Sequence, residues 1–220
     1  MNCPPEKSPW FARLYDPLMV PIELISMRRV RRRVVAEASG LVLEVGAGTG
    51  LNLPHYRAAR QVIASEPDSA MLLQARRRAR RARVPVKLVV ANGQSLPFGD
   101  RTFDTVVSTC VFCTVPDPEQ GFREIRRVLK PGGELWLLEH VRAAQPWIAR
   151  LQDRLTPGWR RLAGGCQLNR PTLETAVRAG FCVEHLETRF GGIVIRARLR
   201  SSEAADPHAL NFRDERGSEG

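Results

Sequence analysis

The chain has 220 residues, 43% of them hydrophobic and 26% charged, which suits one domain with a sizeable core and excludes a wholly disordered chain. Its formal net charge of +11 comes from arginine, so the macromolecular partners it favours are anionic. Five cysteines, an odd number with no closely spaced framework, suit a reducing compartment and not a disulfide scaffold.

No run approaches the roughly 18–20 uninterrupted apolar residues of a membrane-spanning helix. The opening residues, with Pro4, Pro5, Glu6 and Pro9, lack a signal-peptide pattern. A cytoplasmic protein is expected, with peripheral contact at an anionic membrane surface as its only membrane association.

Residues 8–38 read as helical, broken at Pro17 and Pro21, with Met27, Val30, Val34 and Ala38 on one apolar face before Gly40 stops the helix. Residues 1–40 are therefore expected to form a helical lid, in which Tyr15 and Asp16 can close over a ligand. The run Arg28, Arg29, Arg31, Arg32, Arg33 belongs to this segment. A second run, Arg76, Arg77, Arg78, Arg80, Arg81, Arg83, shares a helical pattern with Leu72, Ala75, Ala79 and Ala82. The apolar stripe faces the core, and the arginines of both runs are expected on solvated faces, where lipid headgroups are the anions they suit. No aromatic residues are interleaved with them, so nucleic acid is not expected as a partner.

Beyond Gly40, strand-like and helix-like stretches alternate. Leu41–Val45, Gln61–Ser65, Val86–Val90, Phe103–Ser108 and Glu134–Leu138 are rich in apolar and β-branched residues, as strands buried on both faces require. Asp117 is a candidate N-cap, with Pro118 at the first helical position, Gln120 completing a capping box, and Phe122, Ile125 and Leu129 on the buried face. Lys130-Pro131-Gly132-Gly133 then turns the chain. Residues 143–170, with Trp147 and Trp159 among prolines and glycines, read as an irregular insertion suited to substrate contacts. A helix near Pro171–Ala179 follows. Cys182–Arg189 and Ile193–Arg200 flank Gly191-Gly192 as an antiparallel hairpin. Residues 201–220 are polar and expected to be a disordered tail. With neither an internal repeat nor a second core, residues 41–200 form one domain. The expected fold is α/β, a doubly wound, mostly parallel seven-stranded Rossmann-like sheet ending in an antiparallel hairpin.

Glu44-Val45-Gly46-Ala47-Gly48-Thr49-Gly50 follows the first strand and precedes Leu51-Asn52-Leu53, which can open a helix. The glycines allow a tight turn and let a ligand lie against bare backbone. A dinucleotide fingerprint would need a small residue at position 51 and a pyrophosphate over the helix start. Leu51 stands there instead, so the loop suits a nucleoside without phosphates, such as S-adenosylmethionine. Glu66, twenty residues after Gly46 at the end of the next strand, can accept both ribose hydroxyls. Asn92, in the loop after the third strand, can present its amide to an adenine edge. Thr109 ends the fourth strand, at the carboxyl edge where open α/β sheets bind ligands.

These residues, together with Asn92-Gly93-Gln94-Ser95-Leu96-Pro97-Phe98, Phe103-Asp104 and the run from Arg123 to Gly133, resemble the motifs of class I S-adenosylmethionine-dependent methyltransferases of the ubiquinone/menaquinone C-methyltransferase type. The resemblance spans roughly residues 8–200. It implies donor contacts at Thr49, Glu66, Asn92-Gly93 and Thr109. With the glycine loop, the expected donor-binding set is Glu44, Gly46, Gly48, Thr49, Gly50, Glu66, Pro67, Asn92, Gly93, Gln94 and Thr109. The C-terminal third, with Leu138-Glu139-His140-Val141, Pro157-Gly158-Trp159, Gly165-Cys166-Gln167-Leu168-Asn169-Arg170 and Thr172, and also Cys113-Thr114-Val115, is similar to the methyltransferase-like alkyl-thiol S-methyltransferases. The chain departs from that family at Gly164, where an aspartate is usual, and its first residues hold no long apolar stretch.

The resemblance implies methyl transfer to a small nucleophilic acceptor such as a thiol, with a phospholipid nitrogen or a quinone ring as alternatives. The rival from another class is a donor-binding protein without catalysis whose basic surface engages a partner. An activated sulfonium needs alignment and exclusion of water more than acid–base machinery. A thiol acceptor, with an ordinary pKa near 8.5, must still lose its proton, and His140 at the end of the fifth strand is the candidate base. Cys110 and Cys113 have metal-like spacing, but no second pair completes four ligands. No metal is expected, and that pair reads as structural. Cys166 is a candidate reactive thiol, and His55 and Tyr56 follow the glycine loop.

Overall fold

Alternation of apolar strands with amphipathic helices builds a twisted sheet covered on both faces. The structure, a computed structural model, describes residues 28–201. The elements in chain order are α1 (Arg28–Glu37), β1 (Gly40–Val45), β2 (Ala59–Glu66), α2 (Ser69–Ala79), β3 (Val86–Val90), β4 (Phe103–Thr109), α3 (Pro118–Val128), β5 (Leu129–His140), α4 (Pro146–Leu162), α5 (Thr172–Arg178), β6 (Phe181–Arg189) and β7 (Val194–Ser201). The seven strands form one sheet in the order β3-β2-β1-β4-β5-β7-β6. The pairs from β3 to β5 are parallel, and β7 joins both β5 and β6 antiparallel. The expected α/β sheet and its C-terminal hairpin are both present.

Successive strand residues face opposite sides, and here both sides are packed. Leu43, Val106, Leu135 and Leu137 meet Phe122, Ile125 and Val128 of α3 and Ala176 of α5. Val42, Val62, Val107, Trp136 and Leu138 meet Val30, Val34 and Val35 of α1. Burying each such side chain contributes about 1.5–3 kcal/mol, so the central strands β1 and β4 anchor the domain. Asp117 caps α3 as expected, its carboxylate accepting from the Gln120 amide at 3.0 Å, and Pro118 opens the helix.

Three local expectations change. The helix after the glycine loop is only a 3₁₀ turn, Leu53–His55, because Pro54 sits at its start and β2 begins at Ala59, leaving too few residues for helical turns. Lys130-Pro131-Gly132-Gly133 ends α3 but is drawn into β5, where the pairing shifts register between Phe103 and Thr105. Most of the supposedly irregular insertion is one continuous helix, α4, with Pro157 inside it. Proline removes one helical donor, but packing of a buried face decides the outcome. Ala149, Gln152 and Thr156 are buried. The Gln152 amide accepts from the Ala143 N–H at 2.8 Å and donates to the Val141 and Leu168 carbonyls at 2.9 Å each. Residues 1–27 of the lid expected over 1–40, with Tyr15 and Asp16, and residues 202–220 of the tail expected over 201–220 lie outside the described residues.

Candidate functional site

Gly46, Gly48 and Gly50 all have positive φ, at 69°, 55° and 83°. A Cβ on Gly46 would lie 2.5 Å from Val111, and one on Gly50 2.8 Å from Leu53, so those two are glycine for want of room. A Cβ on Gly48 would meet nothing within 4 Å. There the bare backbone borders open space, and a ligand can lie along it. Glu66, at the end of β2, accepts the Gly48 N–H at 2.9 Å through Oε2 and the Asp68 N–H at 3.2 Å through Oε1. Its carboxylate is thereby fixed at the rim of the loop. Arg78 Nη1 donates to the Thr49 carbonyl at 2.7 Å, so this arginine of the second run braces the loop.

A buried polar knot lies beneath. Asn52 Nδ2 donates to Glu44 Oε1 at 2.8 Å and to Thr109 Oγ1 at 3.1 Å, and the Tyr56 hydroxyl donates to Glu44 Oε2 at 3.0 Å. Arg31 Nη1 donates to Asn52 Oδ1 at 2.9 Å and to Thr109 Oγ1 at 2.7 Å. Arg31 is only 6% exposed, which corrects the expectation that every arginine of its run faces solvent. Burial pushes the Glu44 carboxyl up to about 7, although the bonds from Tyr56 and Asn52 and the charge of Arg31 favour its ionised form. Glu44 and Thr109 thus join this knot beneath the loop.

Asn92, Gly93 and Gln94 stand beside the end of β1. The Asn92 Oδ1 accepts the Gln94 N–H at 3.0 Å, and a Cβ on Gly93 would lie 3.0 Å from Val45. Leu96, at the end of this loop, is tied to Glu124 Oε2 through its N–H at 2.8 Å, and Arg127 grips both Glu124 and the Leu96 carbonyl. Pro67 is exposed immediately after Glu66.

One strand further along the sheet, at the carboxyl ends of β4 and β5, a second group of side chains converges. Cys113 Sγ, a ring nitrogen of His140 and Cys166 Sγ all lie within 4.8 Å of one another. His140 Nε2 is 3.2 Å from Cys166 Sγ, and Trp159 Nε1 donates to the same sulfur at 3.2 Å. The supporting bonds are dense. Gln167 N–H donates to the Cys113 carbonyl at 3.0 Å, and Arg170 Nη1 donates to the carbonyls of Phe112 and Val115. Glu139, fully buried, accepts the N–H groups of Val111 and Phe112 through Oε1 at 2.8 and 3.1 Å.

Electrostatics separates these groups. Hydrogen bonding with Cys113 outweighs burial and, with His140 and Trp159, pulls the Cys166 thiol down, while the same contact and burial push Cys113 up. Burial opposes the charge on His140, but its bonds to Cys110 and Cys166 raise it to about 10. Burial lifts Glu139 to about 7 against its two backbone donors.

Residues 43–137 match the family described as a methyltransferase domain. The human thiol S-methyltransferase TMT1A is 32% identical over 166 residues, covering 72% of this chain and 68% of that protein. The chain belongs to the S-adenosylmethionine-dependent methyltransferases. The phosphatidylethanolamine N-methyltransferase of Cereibacter sphaeroides is 37% identical over 141 residues, covering 59% of this methyltransferase and 68% of that one. Among solved structures, the DhpI–SAH complex shares the fold with a TM-score of 0.67 at 20% identity, covering 89% of this chain and 94% of that chain. S-adenosylmethionine is therefore the cofactor of this methyltransferase. The open face of Gly48 beside the fixed Glu66 carboxylate fits an adenosine moiety that brings no phosphate.

The fold gathers the sequence candidates into two neighbouring places: a loop cradle with Glu66 and Asn92-Gly93-Gln94, and a soft-donor cluster with His140. Arg31, Asn52 and Arg78 were not foreseen as parts of the first, nor Glu139 as a part of the second. Arg31 and Arg78 are masked by neighbouring arginines, so no local signal marks them.

Proposed function

We propose that this methyltransferase transfers the donor's methyl group to the sulfur of a small, fairly apolar thiol. The carrying observation is the position of His140 and Cys166, at the carboxyl ends of the strands beside the donor cradle. Similarity to thiol S-methyltransferases supports the same reading. Gly46, Gly48, Thr49 and Gly50 cradle the donor, with Glu44 and Thr109 fixing the loop from beneath. Glu66, with Pro67 beside it, receives the ribose hydroxyls, and Asn92, Gly93 and Gln94 border the adenine.

The donor supplies a methyl group already activated by a sulfonium, so the chain's work is to align the acceptor in line and exclude water. The acceptor sulfur forms the new S–CH₃ bond as the sulfonium S–CH₃ bond breaks. The thiol proton passes to solvent, the cationic His140 favouring the thiolate it leaves behind, and the products are a thioether and S-adenosylhomocysteine. An ordinary thiol is mostly protonated at neutral pH, which is why a cation that favours the thiolate belongs at this place.

A second reading, methylation of a phospholipid amine, has its own observation. Along α4, Trp147, Leu151, Leu155 and Trp159 are 67%, 48%, 52% and 41% exposed, and their four-residue spacing makes one stripe. Arg150, Arg154 and Arg161 flank it, exposed as well. Apolar stripe and cationic flank together suit the interface of an anionic bilayer, and peripheral docking there is part of the proposal under either acceptor. Among the described residues no helix is long and apolar enough to cross a membrane.

Labelled donor, offered separately with alkyl and aryl thiols, phosphatidylethanolamine vesicles and a demethylquinone, tests the acceptor. Labelled thioether is expected. Labelled phospholipid or quinone without thioether would replace the thiol reading.

A further inference from the structure

We propose that Cys113, His140 and Cys166 form a three-ligand site for a soft divalent metal ion of the Zn²⁺ type, with one coordination position open. Two thiol sulfurs and one imidazole are donors that select zinc over the hard cations. In a tetrahedral centre with Zn–S near 2.3 Å and Zn–N near 2.0 Å, ligand atoms stand about 3.3–3.8 Å apart. Here all three lie within 4.8 Å of one another, and the Cys166–His140 separation is 3.2 Å. Small side-chain rotations close the remainder.

The ligands come from three segments distant in sequence, the loop after β4, the end of β5 and the turn after α4, and the surroundings hold all three. Arg170 and Gln167 lock the Cys113 loop to the Cys166 turn. Trp159 is a donor only, so its contact treats Cys166 Sγ as an acceptor, as outer partners of a metal thiolate do. Glu139 Oε2 is buried and has no hydrogen-bond partner among the described residues, and its carboxyl is close enough to His140 and Cys166 to influence both. An uncompensated buried carboxylate is costly, and a nearby dication offsets it. Cys110 also bonds to His140, but among the described residues no fourth Cys, His, Asp or Glu comes within 4.8 Å of all three ligand atoms. Three protein ligands with an open position are the pattern of a working zinc and not of a structural one.

The role of the open position rests on the thiol reading above. An acceptor thiol entering it releases its proton to solvent and binds as thiolate, because a coordinated thiol is deprotonated outright. The sulfur takes the methyl group from the sulfonium, S-adenosylhomocysteine is the leaving group, and the neutral thioether, a weaker ligand, departs. On this proposal His140 acts on the acceptor's proton through the ion.

The test uses the full chain, reduced, stripped with chelator and titrated with Zn²⁺ alone against a chromophoric competitor. One equivalent per chain is expected, with Cys113 and Cys166 protected from alkylation and Cys182 unprotected. Cys166→Ser and His140→Ala should weaken binding by more than about a hundredfold, and Trp159→Phe by about tenfold. Cys182→Ser should change nothing. Because Cys113→Ser alters a buried position, Cys166→Ser is the deciding variant, with S-adenosylhomocysteine affinity and melting temperature as fold controls. Absent zinc binding, or binding untouched in a folded Cys166→Ser protein, would overturn the site. Full thiol methylation by metal-free protein would overturn the role of the open position. One equivalent of zinc with no thiol methylated leaves the site standing and overturns the thiol reading alone.

Discussion

Arg31 Nη1 donates to Thr109 Oγ1 at 2.7 Å across 78 residues of chain, tying the first helix to the end of the central strand β4. The same nitrogen reaches Asn52, whose amide holds Glu44. Arg31→Met removes the cation and leaves Asn52 Oδ1 without that donor in a dry interior. The expected loss is about 2–4 kcal/mol in urea unfolding, together with weaker donor binding because the glycine loop loses its footing. A variant as stable as the parent would show the knot to be dispensable.

Glu66 makes a second prediction. Its two oxygens accept the Gly48 and Asp68 N–H groups, and a carboxylate oxygen accepts more than one bond, so ribose hydroxyls can join them. Glu66→Gln weakens charge-assisted bonds of about 1.5–3 kcal/mol each. Calorimetry should find S-adenosylhomocysteine affinity reduced roughly tenfold or more. Unchanged affinity would remove Glu66 from the donor site.

Glu44 gives the fold a pH slope. Burial raises its carboxyl from 4.5 to about 7, so the folded chain keeps a proton that the unfolded chain has lost. Below about pH 4.5 both states hold it and nothing is lost. Between about 4.5 and 7 stability falls as pH rises, and above 7 the full cost, ~3 kcal/mol, is present. Glu44→Gln carries no such charge. The stability difference between pH 5 and pH 8 should shrink by that order, while the parallel contribution of Glu139 stays in both proteins. Denaturant midpoints at the two pH values decide it.

His140→Asn should lower turnover on a saturating thiol by about a hundredfold or more and leave S-adenosylhomocysteine affinity within about twofold. The cradle and the cluster stand on different strand ends, so the two readouts separate. Equal loss of both would mean that His140 serves only to hold the structure.

The exposed stripe of α4 predicts membrane docking. Trp147→Ser with Leu151→Ser and Leu155→Ser should abolish sedimentation with phosphatidylglycerol-containing vesicles, and Arg150→Glu with Arg154→Glu should weaken binding and leave what remains less salt-sensitive. Methylation of a water-soluble thiol should persist in these variants. Vesicle binding by the triple serine variant equal to the parent's would assign the stripe to another occupant.

Local chemistry by itself determined the sheet, its hairpin, the glycine cradle and the Glu66 position, because strands buried on both faces, capped helices and positive-φ glycines are written in consecutive residues. It also misled in consecutive terms. Pro157-Gly158 reads as a break, yet α4 runs through it because a buried face holds it in place. Arg31 reads as one solvated arginine among five, yet its partners lie at 52 and 109. Cys110 and Cys113 read as half a metal motif without its other half. His140 and Cys166, which join Cys113 and leave Cys110 out of the group, are adjacent to it only once β4 and β5 pair and α4 folds back over their ends. Contacts between segments far apart in sequence depend on strand order and helix packing, so the tertiary structure alone decided the buried knot and the soft-donor cluster.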